Sequence, residues 1–149
     1  MKIGGMWLGA ELDELKALGL VQTVRESPLL KNGQLGYVDV YHVAHFVDGK
    51  AVVLSGNDLR RGSNSLIRED QTRAEVLAVA KREGWSVDKE WGRPTDVAQH
   101  HNSIIRFRTP EEVYILVVLF ESDFTPDKPP IVSGVYVRNN TVCLPIGDD

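Results

Sequence analysis

The chain carries one cysteine, two methionines and 7% aromatic residues in 149 positions. A lone Cys143 cannot close an internal disulfide, so an apolar core must hold the fold, and a reducing cytoplasm is the expected setting. Long hydrophobic runs are missing as well. The longest, Val113 to Phe120, has eight residues, well short of the roughly 20 that a membrane helix needs. No basic, apolar leader opens the sequence, and no membrane association is expected. Phosphate-loop, nucleophile-elbow and His-Glu-x-x-His patterns are absent, and so is any cysteine cluster, so neither a cofactor nor a metal is expected. Internal repeats and low-complexity tracts are not visible. Positive charge is in deficit: 17 Lys and Arg stand against 21 Asp and Glu, a net charge of −4 that argues against nucleic-acid binding.

What remains is ordinary globular composition, 42% apolar and 26% charged, at a length that fits one domain spanning residues 1–149. Charge is unevenly placed. Residues 60–108 hold ten basic and seven acidic side chains, a net of +3, whereas residues 109–149 hold two and seven, a net of −5. A basic middle of this kind could meet an anion, or the acidic tail of a second subunit.

Leu8, Leu12, Leu15 and Leu18 share one helical face, with Gly19 as the stop. A second helix follows Thr72, where Thr72 and Glu75 make a capping-box pair and Gly84 ends the segment. Strands are expected over Leu20–Glu26, Leu35–Val47, Lys50–Ser55, Ile104–Arg108, Val113–Phe120, Ile131–Arg138 and Thr141–Ile146. Asp48-Gly49 is a tight-hairpin signal. Thr109-Pro110-Glu111-Glu112 would suit either a helix cap or a turn before the apolar run. Residues 56–70 and 85–103 read as irregular. The expected fold class is α+β: a largely antiparallel, curved sheet of about six to seven strands with two main helices packed on one face. Two helices cover one side only, and the apolar run Val113–Phe120 needs cover on both, so a homodimer is expected.

For function, the alternating segment places Tyr37, Asp39, Tyr41 and His45 on one strand face, where rings supply apolar contact and polar tips fix orientation. The irregular stretch with Trp91 and His100 could roof that wall, bringing His45, His100 and Asp39 together. Arg60 and Arg61, beside Gly62-Ser63-Asn64-Ser65, form a candidate anion site. Asp96 and His100, four apart, would align on one helical turn as an acid–base couple. These patterns favour a small binding protein without catalytic activity, taking an organic ligand or a protein partner. The alternatives are a hydrolase- or isomerase-type enzyme using His45 or Asp96/His100 as general acid or base, and a protein-interaction or inhibitory module.

Overall fold

Alternation of apolar and polar residues is realised as strand pairing along nearly half of Met1–Asp149, all of which the computed structural model describes. Strand β1 (Lys2–Ile3) leads into a short helix, α1 (Leu12–Ala17), followed by β2 (Thr23–Glu26), β3 (Gln34–Asp39), β4 (His42–Val47) and β5 (Lys50–Gly56). A hairpin of β6 (Asp58–Arg61) and β7 (Asn64–Arg68) precedes helix α2 (Arg73–Glu83). A second run of four strands completes the order: β8 (Ser86–Pro94), β9 (His100–Arg108), β10 (Tyr114–Ser122) and β11 (Ile131–Arg138).

The chain is mostly β, 48% strand against 11% helix, with eleven strands in two antiparallel sheets. This overturns the α+β expectation of two main helices on six to seven strands. Three of the missing strands, β6, β7 and β8, lie in the segments read as irregular. Residues 58–68 form the β6–β7 hairpin around Gly62 (φ +62°), and Ser86–Pro94 forms an edge strand. Both are rich in polar side chains because one or both of their faces meet water, so the apolar alternation that betrays a half-buried strand is weak there. Conversely, Thr141–Ile146 is not a strand, and the first helix begins at Leu12 rather than Leu8.

The small sheet has the order β1-β6-β7 and the large one β2-β3-β4-β5-β11-β10-β9-β8. The large order reads alike outward from the central antiparallel β5/β11 pair, and each run of four strands is preceded by its own helix. Two helix-plus-four-strand units are therefore joined about an approximate two-fold axis normal to the sheet. No repeat is visible in the sequence.

Ala44, Phe46, Leu54, Ile105, Phe107, Ile115, Val117, Val135 and Val137 pack beneath Leu15 of α1, Val76, Val79 and Ala80 of α2, and Ile3, Leu59 and Ile67 of the small sheet. On the opposite face, Val53, Ile104 and Leu116 are covered by Leu29 and Leu30 from the β2–β3 connection and by Val142, Leu144 and Ile146. Both apolar sides of β10 are thus covered within one chain, so uncovered apolar surface no longer argues for a second subunit. Trp85, buried against Phe107 at 5.8 Å between ring centroids, has an indole Nε1–H with no hydrogen-bond partner.

Local chemistry explains the turns. Asp48 (φ 52°) and Gly49 (φ 77°) both adopt positive φ, as a tight hairpin requires. The segment Leu35–Val47, alternating throughout, is broken because the Asp39 carboxylate accepts the N–H groups of Tyr41 (2.8 Å) and His42 (3.1 Å). That reverses the chain between β3 and β4. At Gly56 a Cβ would lie 2.6 Å from Ile3 Cγ2 and 2.9 Å from the Tyr41 carbonyl oxygen, so the two sheets approach there as only glycine allows.

Candidate functional site

The β3–β4 turn is built from the Asp39 carboxylate outward. Its two backbone hydrogen bonds, that from Tyr41 N–H foremost, hold the carboxyl below the usual range, and His42 Nδ1 lies 3.2 Å from Oδ1. The His42 ring is wedged against Gly4, where a Cβ would come within 2.6 Å of His42 Cβ. Fixed in this way, the turn exposes Val40 (76%) and Tyr41 (66%). Val38, Leu20 and Gly19 line a hollow with Asp39 and His42. Leu18, also exposed, sits next to Gly19. Arg25 lies 5.7 Å from the Tyr37 ring centroid and makes no ion pair.

The expected ligand wall does not assemble. The turn between β3 and β4 separates Tyr41 from His45, and His45 is buried on the sheet face covered by the β2–β3 connection. Ser27 Oγ lies 2.7 Å from His45 Nδ1 and also accepts the N–H groups of Leu29 (3.1 Å) and Leu30 (3.0 Å). Desolvation pulls the His45 pKa down to about 4. Strands β5, β11 and β10 intervene between β4 and β9, and the register sets His45 level with Arg108 rather than His100, so the two imidazoles are separated by about 19 Å across the strands and about 26 Å along them.

His100 instead packs edge-on against Phe120 (5.0 Å) and Phe124 (5.8 Å). Asp96 lies in the β8–β9 turn rather than on a helical turn, and it makes no hydrogen bond or ion pair with His100. Trp91 roofs nothing. Its Nε1–H donates to the Ile146 carbonyl at 2.9 Å, beneath the C-terminal segment. Cys143 is exposed.

Sequence reasoning overlooked the polar cluster that holds this segment. The Asp148 carboxylate, fully buried, accepts from Arg138 Nε (2.5 Å) and Nη2 (2.9 Å), from Arg106 Nη1 (2.8 Å) and from Leu144 N–H (3.0 Å). Burial alone would raise the carboxyl pKa, but these donors outweigh it and leave it below the ordinary value. Both guanidiniums lie over the Tyr114 ring, and Lys89 Nζ donates to the Gly147 carbonyl at 2.8 Å. The basic middle of the chain does meet an acidic tail, and the tail is its own.

Arg60 and Arg61 are adjacent but separately engaged. Arg60 bonds Asp58 (2.6 Å) in a hollow with Lys2 and His42. Arg61 bonds Glu83 (2.9 Å) and Glu111 (3.0 Å), which keep its guanidinium firmly protonated. It lines a cleft of about 470 Å³ with Ser63, Asn64, Arg68 and Arg82. Arg68 and Arg82 were not singled out by sequence, because they lie on different elements that only the fold brings together.

No three His, Cys, Asp or Glu side chains lie close enough to share a metal ion. No helix is long and apolar enough to cross a membrane. Comparison with protein-family models, curated proteins and solved structures finds no match to this chain.

Proposed function

We propose that this protein is a noncatalytic binding module that docks a protein partner through the β3–β4 turn. The observation that carries the reading is the exposure of Val40 and Tyr41 on a turn already locked by Asp39. Leu18, Val38, Val40 and Tyr41 are four of the seven exposed large apolar side chains, and they fall in one region. Exposed apolar groups gathered on a rigid support favour binding, since little conformational freedom is lost on contact. A protruding tyrosine is a frequent anchor of protein interfaces. Arg25 on one side and Lys2 on the other, neither in an ion pair, fit a partner whose apolar pocket is rimmed by carboxylates. Of the two histidines weighed as acid–base groups, His45 is sealed and His100 lies four strands away from it, so they form no shared site.

The test is site-directed photo-crosslinking. With Tyr41 replaced by a photoreactive benzophenone amino acid, irradiation in the native cell should give one dominant adduct with a second protein, lost when Val40→Asp is added. Binding of that purified protein should weaken about thirtyfold in Tyr41→Ala, an interface-anchor loss of about 2 kcal/mol. Adducts only with the chain's own copies, or none at all, would overturn the reading.

A further inference from the structure

We propose that the cleft between the β6–β7 hairpin and α2 binds a small molecule through its phosphate group. The inference is independent of the β3–β4 turn. Arg61, Arg68 and Arg82 line this cleft of about 470 Å³, and Glu83 is the only acidic residue with them, in a chain whose net charge is −4. Its one apolar lining residue is Leu66, so an apolar ligand finds no surface there. The volume falls within the ordinary range for small-molecule sites, roughly 300–1,000 Å³, and exceeds what a bare ion needs.

The arginines divide the work. Arg61 is clamped by Glu83 and Glu111, so its position is set before any ligand arrives. Arg68 and Arg82 make no ion pair. The Ser63 hydroxyl and the Asn64 amide bond to no protein group either. Their donors therefore come from three elements: the hairpin turn, β7 and α2. A planar carboxylate satisfies one such fork, as Glu90 does for Arg73. A phosphate, with several oxygens directed tetrahedrally, can accept from Arg68, Arg82 and a hairpin donor at once.

Inorganic pyrophosphate is the probe, titrated into the full-length protein at low ionic strength and followed by calorimetry and amide chemical shifts. Saturable binding should move the amides of Ser63, Asn64 and Arg82. Arg68→Ala/Arg82→Ala should weaken it at least about tenfold. Lys31→Ala/Arg93→Ala removes the same charge from two other unpaired cations and should change it less than about twofold. Both pairs are exposed, and unchanged circular dichroism confirms that they fold. No saturable binding, equal losses in the two double variants, or equal affinity for succinate would each overturn the proposal.

Discussion

A hydroxyl oxygen has two lone pairs, and at Ser27 both are taken, by the N–H groups of Leu29 and Leu30. Its own proton must therefore go to His45 Nδ1, which fixes the imidazole as neutral with the proton on Nε2. Protonating His45 would set two donors face to face in a desolvated site. The unfolded chain takes up this proton near pH 6.5, whereas the folded chain resists until about 4. Between those values the unfolded state binds more protons, so stability falls as pH drops through the window and is fully retained above it. The shift is worth about 3 kcal/mol. Urea unfolding at stepped pH should show this slope. His45→Gln keeps an acceptor for Ser27 without a titrating ring and should flatten it, while an unchanged slope would contradict the assignment. The sequence placed His45 opposite Ala44 and Phe46 correctly but as an open ligand wall, because what covers that face is Leu29 and Leu30, contributed by another segment.

Elements with complete local signals were legible. Thr72, Glu75 and Gly84 mark α2, whose capping box forms with both reciprocal bonds, and Asp48-Gly49 marks the β4–β5 hairpin. Edge strand β8 was not legible, since Ser86–Pro94 sets Asp88, Lys89 and Glu90 in a row and is exposed along most of its length. The C-terminal segment was misread for a different reason. Val142, Leu144 and Ile146 alternate as a strand does, yet this alternation seats them on the sheet face rather than beside a partner strand. Side chains hold the segment where a ladder would otherwise do so. Asp148→Asn removes the charge that Arg138 needs, with Arg138 only 3% exposed. A loss of about 3 kcal/mol or more is expected, the cost of a buried cation left without its partner. Hydrogen exchange should show Leu144 and Ile146 losing protection before the strands. A midpoint within error of wild type would show the cluster to be dispensable.

At the scale of the molecule, two like units share one core, since the main cluster draws on Leu15, Ala44 and Leu54 from the first and Val76, Ile105 and Val135 from the second. Because these side chains form one continuous cluster, cooperative unfolding is expected. Calorimetric and van't Hoff enthalpies should agree, whereas separate transitions for the two units would refute the shared core. The three tryptophans also occupy different surroundings. Trp85 is dry and its indole N–H has no partner, Trp91 lies under the C-terminal segment with its N–H bonded to Ile146, and Trp7 sits beside Lys2 at the small sheet. Indole emission shifts to longer wavelength with polarity and hydrogen bonding, so the unbonded Trp85 is the bluest of the three. Lifting the C-terminal segment alters the light from Trp91 while Trp85 stays blue, and the protein's own fluorescence thereby distinguishes loosening of one face from loss of the fold.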